Sequence, residues 1–354
     1  MRDYHALTLE NWKKMRYELS QGYDGLPVSI NYRKLYEDCL EAVERGEGFP
    51  IQAWDARGIY PQSHEAALRF FFWINCVNFN FNHSVWDEAL GGQTLVKYAR
   101  RNKDGRELRG AQAMASAFYD NFGEEPITTR HLKPHLKSKK RARALFAGIN
   151  DIPMLEAREF LLSMACEVLD RDFGGDPANV FERGRFSAYG TDQLPGVFEF
   201  LLSNFSLVYG SDIHTWNGLQ FHFHKRAHLL LTMYHGRAMN SGGALAPLND
   251  IDEVPPMPDY ELPRAYFVNG IFEYSEPFLR ITRSANPVVR GHPYEIAMRA
   301  ATVEAQTQEL SFLNRLRVLR GLPSLNFCNV DPYRWFQGRA NNTEWPLMTE
   351  TTDH

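Results

Sequence analysis

The chain has 354 residues, of which 44% are hydrophobic and 23% are charged, as expected for a globular protein with a sizeable core. The formal net charge of −4 excludes a strongly basic protein that is drawn to DNA or to an anionic membrane. Four cysteines without any Cys-x-x-Cys pair signal neither a zinc ribbon nor a disulfide framework, so a reducing cytoplasm is the expected compartment.

Helical patterns dominate the sequence and strand-like alternation is scarce, so the predicted fold is mainly α. The most apolar stretch, Ala66–Ile74, is interrupted by Arg69 and is too short to cross a bilayer, so no membrane association is expected. Residues 241–258 are rich in proline, glycine and aspartate and predict a long loop within one large domain spanning residues 1–354. The main predicted helices are, in chain order, His64–Phe81, Arg106–Asn121, Pro153–Phe173, Leu194–Val208, Phe221–Met239 and His292–Leu319.

The segment Asn75–Trp86 places four asparagines between aromatic residues at the end of an apolar helix. Asparagine is unfavourable inside a helix because its amide competes for backbone partners, so this cluster needs a reason. One interpretation is a wall that binds a nucleobase, in which rings stack and amides bond to polar edges. The alternative is a capped helix end whose buried amides are satisfied within the protein.

The basic run Arg130–Arg143 has no interleaved aromatic residues and is interpreted as a solvated surface. Together with the negative net charge, it leads us to expect no stable nucleic-acid complex. The sequence also contains no evident P-loop, Gly-x-Gly-x-x-Gly fingerprint or serine nucleophile elbow.

Three histidines, His222, His224 and His228, surround Lys225 near the start of a predicted helix. They allow a metal-dependent hydrolase as one function, although residues two apart on a helix do not face each other and no acidic ligand accompanies them. A polar helix face beside a pocket explains them better, and no metal is expected. Lys225 is the more informative residue, because a lysine in a low-dielectric pocket can hold an anion or a developing negative charge.

Prolines on both sides stiffen the segment Pro255–Pro263 around Asp259 and Tyr260. A stiff loop can hold a carboxylate in a fixed position, as a catalytic group requires, and shielding from water would raise the pKa of Asp259. A solvated acidic loop is the alternative, and the local sequence alone favours it.

An ordered set of segments between about residues 75 and 335 resembles motifs of the queuosine salvage proteins. Each segment is modestly specific, and their common order along the chain is more so. The segments are Val77–Phe81, Asp151–Val180, Phe223–Thr232, Asp259–Pro263, Glu273–Pro277, Tyr294–Val303 and Val330–Trp335.

The resemblance implies a helical fold whose core is like that of the helix-hairpin-helix DNA glycosylases, and an enzyme that needs no metal or organic cofactor. It also implies hydrolysis of the N-glycosidic bond of queuosine 5′-monophosphate, or of a related modified nucleotide or nucleoside. Such a reaction releases queuine for re-use in tRNA. The expected partner is therefore a small modified nucleotide.

The resemblance assigns two residues to catalysis. Asp259 falls at the family's catalytic aspartate, where a carboxylate would stabilise a positively charged sugar and orient or deprotonate water. Lys225 falls at its active-site lysine and is a candidate for stabilising the departing base, because a 7-deazapurine has no N7 to protonate, or for contacting the phosphate. The candidate substrate-binding residues are Asn78, Phe79, Phe81, Tyr260 and Arg299. Arg299 could equally pair with Glu295, one helical turn earlier.

Three positions depart from the pattern that we expect of the family. Asn82 stands in place of a tryptophan, Asn75 in place of an aspartate and Glu261 in place of an arginine. These changes indicate altered polar recognition near the pocket. Two alternative functions therefore stay open. One is a non-catalytic binder of modified nucleosides or RNA, and the other is the metal-dependent hydrolase that uses the three histidines.

Overall fold

The computed structural model describes residues 4–22, 25–89, 91–191, 193–340 and 346–354. Helices form most of its regular structure, which confirms the predicted mainly α fold. The α-helices are α1 (Tyr4–Ser20), α2 (Tyr32–Glu44), α3 (His64–Cys76), α4 (Ala111–Phe122), α5 (Thr129–Leu136), α6 (Lys139–Leu145), α7 (Leu155–Asp172), α8 (Ala178–Arg183), α9 (Val197–Asn204), α10 (Lys225–Met239), α11 (Glu261–Val268), α12 (Glu276–Arg283), α13 (Pro293–Val318) and α14 (Phe327–Ala340).

The strands of the described residues are short and form only two-stranded pairs. Four pairs are antiparallel, β1 with β8, β2 with β3, β4 with β5 and β6 with β7, whereas β9 and β10 are parallel. The strands are β1 (Val28–Ile30), β2 (Asn82–Asp87), β3 (Gly92–Lys97), β4 (Ala99–Arg101), β5 (Glu107–Arg109), β6 (Ile213–Trp216), β7 (Leu219–His222), β8 (Phe272–Tyr274), β9 (Val288–Val289) and β10 (Thr349–Glu350).

Four predicted helices are shorter than expected. The helix predicted over Arg106–Asn121 begins at Ala111, because Glu107–Arg109 pairs as β5 with β4, and the helix predicted over Leu194–Val208 is α9, followed by a π-helical turn at Ser206–Gly210. The other two are shortened for reasons that lie elsewhere in the chain. The helix predicted to reach Phe81 ends at Cys76, because carbonyl groups beyond that point bond to buried arginines, and Asn80 has a left-handed φ of 33°. The helix predicted from Phe221 begins at Lys225, because β7 pairs with β6 and His224 has a φ of 46°. Both corrections fall beside the candidate site.

The long loop between α10 and α11 is confirmed. A single 3-10 turn, Ile251–Glu253, interrupts it, and its last residues lead directly to Asp259. The predicted helices Pro153–Phe173 and His292–Leu319 are also confirmed, as α7 and α13, within two residues at each end.

The buried apolar residues form two clusters. The first cluster extends from Ile59 to Val254 along the chain and includes α3, α7 and α10, with one addition from α14, Cys328. The second joins the N-terminal helices α1 and α2 to α11, α13 and α14. Helix α10 follows two phenylalanines of the second cluster and packs into the first, so its beginning lies where the two clusters meet.

Helices α11 and α14 cross at very short range. A Cβ atom built on Gly338 of α14 would lie 2.2 Å from the carbonyl oxygen of Glu261, the first residue of α11. Only glycine therefore allows this close approach. The approach holds the first turn of α11 beside α14, at the cleft described below.

No helix within the described ranges combines the length and the apolar character that a membrane crossing requires. The single-domain organisation and the resemblance of the core to helix-hairpin-helix DNA glycosylases stay predictions.

Candidate active site

A cleft lies between the end of α3, the first turns of α10 and α11, and helix α14. The cleft is narrow, with a cavity volume of about 60 Å³, and it opens to solvent on one side. Five residues predicted from the sequence line it together: Asn78, Phe81, Lys225, Asp259 and Tyr260. They come from segments far apart in the sequence, so the fold brings most of the predicted site into one place.

Asp259 is buried and fixed by the start of α11. Its Oδ1 accepts hydrogen bonds from the backbone N–H groups of Glu261 at 2.8 Å and Leu262 at 3.1 Å. Burial raises the pKa of Asp259, and the nearby ammonium of Lys225 and the two N–H donors oppose the rise. The loop is therefore not a solvated acidic loop, because this carboxylate faces the cleft with 5% of its surface exposed.

Lys225 is the first residue of α10, and its position is set by the residues before it. Its backbone N–H donates to Asp212 Oδ2 at 3.0 Å, directly after the left-handed residue His224. Burial lowers the pKa of the Lys225 ammonium, while Asp259 and Asp331 raise it. The ammonium thus interacts with two carboxyl groups in a buried site.

Two buried arginines hold the turn that carries Asn78 and Phe81. The guanidinium of Arg158 donates to the carbonyl oxygens of Val77, Phe79 and Asn80, and that of Arg226 donates to the carbonyl of Cys76. The acceptors of Arg158 are neutral backbone carbonyls, so no negative charge offsets its burial, which lowers its pKa to about 9. The turn is therefore rigid. The amide of Asn78 and the ring of Phe81, both largely buried, line the cleft.

Phe79 lies behind this wall and not on its surface. It is fully buried, and its ring is covered by the guanidinium groups of Arg158, at 4.3 Å, and Arg226, at 5.3 Å. Phe79 does not line the cleft. Its observed contacts make it a support for the two arginines, since a cation over an aromatic face is attracted by the ring.

Arg299 also lies outside the cleft lining. Both of its terminal nitrogens donate to the carboxylate of Asp212, at 2.7 and 2.8 Å, and Nε donates to the carbonyl of Pro258 at 3.2 Å. It does not bond to Glu295, whose carboxylate instead contacts His354 and the N–H of Gly291. Arg299 thus fixes the residue that precedes Asp259, and a direct contact with substrate stays a prediction without support from this geometry.

Asp331 is a second carboxyl group in the same cleft, and the residue-by-residue reasoning missed it. It lies in α14 with 7% of its surface exposed, and Gln306 Nε2 donates to its Oδ1 at 3.3 Å. Burial and the charge of Asp259 raise its pKa to about 8. The segment Val330–Trp335 was one of the family motifs, but an aspartate before a proline gave no local signal of a cleft.

Two of the three positions that depart from the expected pattern, Asn75 and Glu261, have partners within the protein. Asn75 Oδ1 accepts from Asn78 Nδ2 at 3.3 Å, which orients the amide that lines the cleft. Glu261 is buried and pairs with Lys97 at 2.7 Å and with Arg264 at 3.0 Å. Asn82 lies opposite Lys97 in the hairpin of β2 and β3. Together they change the charge pattern of the cleft wall but leave Asp259 and Lys225 in place.

The partly exposed side of the cleft carries positive groups. Lys97 and Arg339 line it, together with Gly110, Ala111 and Gln112 at the start of α4. The guanidinium of Arg339 lies 4.8 Å from the ring of Trp335 and donates to the carbonyl oxygen of Arg109 at 3.4 Å, and within the described residues it forms no ion pair. A helix start with free N–H groups beside an arginine is an arrangement that suits an anion.

The histidines do not form the metal site that was considered as an alternative. His222 lies on β7, His224 precedes α10 and His228 lies within it, so they are not on one helix face. His222 and His228 line a different cavity of about 430 Å³, and His228 stacks on Phe198. Burial lowers the pKa of His224 to about 4 and that of His228 to about 3.

Within the described ranges, one other group has ligand atoms close enough for a metal: Asp212, His214 and Asp353, all within 4.8 Å of one another. Its negative charge is already balanced, because Arg299 binds Asp212 and Arg290 binds Asp353 at 2.6 Å. The group is therefore a buried ion-pair network beneath the loop that carries Asp259.

The chain is similar to a protein of Sphaerobacter thermophilus named queuosine 5′-phosphate N-glycosylase/hydrolase, with 24% identity over 288 residues, 81% of this chain and 80% of that protein. It is also similar to a Schizosaccharomyces pombe protein of the same name, with 22% identity over 290 residues, 80% of this chain and 78% of that protein. The sequence model of the queuosine salvage proteins matches residues 59–353. This chain therefore belongs to the queuosine salvage protein family.

Proposed function

We propose that this protein hydrolyses the N-glycosidic bond of queuosine 5′-monophosphate, or of a closely related modified nucleotide, and releases queuine for salvage into tRNA. The observation that carries the proposal is the meeting of Asp259, Lys225, Asn78 and Phe81 in one largely buried cleft. Family membership and the names of the two relatives support the same reaction.

Asp259 stabilises the sugar in this mechanism. Cleavage of the bond between C1′ and the base leaves positive charge on the ribose, as in glycoside hydrolysis. A carboxylate held at a fixed place in a dry site stabilises that charge and orients the attacking water. The two backbone N–H groups that bind its Oδ1 favour the ionised form and fix its direction.

The base end of the substrate meets a ring, an amide and a cation. Phe81 stacks on the heterocycle, Asn78 bonds its polar edge and Lys225 attracts negative charge that develops on the departing base. Tyr260 remains a neutral phenol because burial raises its pKa well above the usual range. It therefore serves as a hydrogen-bond donor at the same wall.

The positive side of the cleft suits the 5′-phosphate. Arg339 and the first N–H groups of α4 provide donors and positive charge, and Lys97 adds a further cation that Glu261 partly neutralises. A nucleotide would then lie with its base at Asn78 and its phosphate near Arg339. Buried free cysteines throughout the described ranges fit a cytoplasmic reaction.

The direct test is turnover. Purified protein, treated with a chelator, is incubated with queuosine 5′-monophosphate, and free queuine is measured by mass spectrometry beside an active family enzyme. We expect many turnovers per protein molecule. Binding of one equivalent without release would favour the non-catalytic binder, and activity that requires added metal would contradict the metal-free mechanism.

A further inference from the structure

The cleft holds two carboxyl groups in unlike surroundings. Asp259 precedes α11, where the unpaired N–H groups of the first turn bind its Oδ1. Asp331 lies inside α14, where backbone N–H groups are used by the helix itself, and the next residue, Pro332, has no N–H at all. The fold thus supplies donors that stabilise a negative charge at one carboxyl group and withholds them from the other.

Among the residues that the structure describes, the one hydrogen-bond donor to the Asp331 carboxyl group is the amide of Gln306, at 3.3 Å. Gln306 is fully buried, and its Oε1 has no partner within the part of the chain that the structure describes. A half-turn of this amide about its last bond would bring Oε1 to Asp331, where a protonated carboxyl group can donate to it. The surroundings therefore accommodate a proton on Asp331 and satisfy a buried acceptor at the same time.

The proposed reaction needs a proton donor at the base. When the bond to C1′ breaks, its electron pair goes to the heterocycle, and a 7-deazapurine has no N7 that could be protonated in advance. A neutral acid in the cleft removes this difficulty, since it can give its proton as the bond breaks. Two acidic groups whose surroundings separate their proton affinities usually divide the roles of acid and base between them.

Resting on the proposed function, we propose that Asp331 is a catalytic residue, the general acid that protonates the departing base, while Asp259 acts as the carboxylate that assists water. The reaction is balanced in atoms and protons. Asp331 gives its proton to a ring nitrogen of the base, water adds to C1′, and Asp259 takes the proton that the water loses. Transfer of one proton from Asp259 back to Asp331 then restores the starting state.

Several charged groups face Asp331 and set the pH at which it loses its proton. Burial raises its pKa most. Asp259 before α11 and Glu309 on α13 raise it further, and the bond from Gln306 and the charge of Lys225 on α10 lower it, with the net result about 8. Glu309 itself is paired with Arg334 at 2.6 Å. Because Lys225 could also lose a proton on the alkaline side, the test must separate these two groups.

The first experiment is the pH dependence of kcat with the full chain. The wild type is expected to lose activity as the pH rises through about 8, and Asp331→Asn is expected to lower kcat by about 10²–10⁴-fold and to abolish this alkaline decline. Asp252→Asn removes an exposed carboxylate that bonds Asn326, just before α14, and should keep the wild-type profile. If kcat of Asp331→Asn still declines at alkaline pH with the wild-type midpoint, the decline belongs to Lys225 and the proposal is overturned.

The second experiment changes the leaving group. In a ribose 5′-phosphate that carries 4-nitrophenol at C1′, the leaving 4-nitrophenolate needs little protonation. The ratio of the kcat of Asp331→Asn to that of the wild type should therefore be near one for this substrate and small for queuosine 5′-monophosphate. Asp259→Asn should be slow with both. If Asp331→Asn lowers kcat equally with both substrates, or lowers it with neither, Asp331 is not the general acid. Failure of the wild type to release queuine would instead overturn the proposed function.

Discussion

Asp259 has two tasks that can be separated by substitution, because one oxygen caps a helix and the charge serves the reaction. Asp259→Asn keeps an oxygen that can accept from the N–H groups of Glu261 and Leu262 but removes the negative charge. Asp259→Ala removes both. The stability of the fold and the rate of the reaction should therefore respond differently to the two changes.

We expect Asp259→Asn to lower kcat by about 10²–10⁴-fold with little change in the free energy of unfolding. Asp259→Ala should be equally inactive and should also lose about 1 kcal/mol of stability through the missing cap. Steady-state kinetics and urea unfolding of both variants check this. Full activity in Asp259→Asn would contradict the role of the charge.

A substitution of Arg339 tests whether this residue binds the 5′-phosphate of the substrate. Arg339→Gln removes a positive charge from the exposed side of the cleft, and a charge-assisted bond to phosphate is worth about 1.5–3 kcal/mol. The KM for queuosine 5′-monophosphate should rise about tenfold or more, whereas that for the nucleoside queuosine should not change. Arg280→Gln, which alters an exposed pair with Glu276 on α12, controls for net charge. An equal effect on both substrates would remove Arg339 from phosphate binding.

At the scale of elements, the sequence predicted what depends on local pattern. The periodicity of α7 and α13 and the composition of the 241–258 loop are properties of contiguous residues, and these predictions hold. The predicted end of α3 was wrong, because Arg158, about eighty residues later in the chain, donates hydrogen bonds to carbonyl groups of the turn that follows α3. Long-range hydrogen bonds of this kind leave no trace in local periodicity.

The candidate site follows the same division. Asp259, Lys225, Asn78 and Phe81 could be selected from residue type and family resemblance, and they meet in the cleft. The burial of Asp259 could not be predicted, since it depends on the crossing of α11 and α14. The inward position of Arg299 depends on Asp212, a residue 87 positions away.

The close approach of α11 and α14 is itself testable. Gly338→Ala would place a Cβ atom 2.2 Å from the carbonyl of Glu261, so the two helices must separate. We expect a loss of about 1–3 kcal/mol in the free energy of unfolding, and a lower kcat because Asp259 and Asp331 are carried by these two elements. Thermal and urea unfolding measure the first effect, and turnover of queuosine 5′-monophosphate measures the second.

Gly48→Ala is the matched control for this variant. Gly48 is exposed, has no atom within 4 Å of a built Cβ and does not have a positive φ. It should leave both the stability and kcat close to those of the wild type. A Gly338→Ala protein as stable and active as Gly48→Ala would show that the helix crossing tolerates expansion and does not set the geometry of the cleft.

At the scale of the whole molecule, a buried ion network connects distant parts of the chain beneath the active site. Asp212 precedes β6, Arg299 lies on α13, and Asp353 belongs to the last described segment, 346–354. His214 Nε2 lies 3.3 Å from Asp212 and 3.1 Å from Asp353. Because Arg299 also bonds to Pro258, the network stabilises the loop that positions Asp259 as well as the fold.

The protonation of His214 should make part of the stability depend on pH. Burial alone would lower the pKa of His214, but its bonds to Asp212 and Asp353 outweigh burial, and the net pKa is raised. A raised pKa means that the folded state favours the protonated form, so this contribution is complete below the unfolded value of about 6.5 and is lost as the pH rises through the folded value. Other buried histidines, such as His228 with its lowered pKa, have the opposite effect on the wild-type curve.

Comparison of the wild type with His214→Gln isolates the contribution of this one residue. The difference in the free energy of unfolding between the two proteins should be largest at pH 6 and should shrink towards pH 9, because the neutral imidazole loses its attraction to Asp212 and Asp353. Urea unfolding at each pH measures it, and the activity of His214→Gln at pH 6 shows whether the loop that carries Asp259 has shifted as well. A difference that stays constant or grows as the pH rises would mean that His214 is neutral in the folded protein and that the two arginines alone balance the carboxylates.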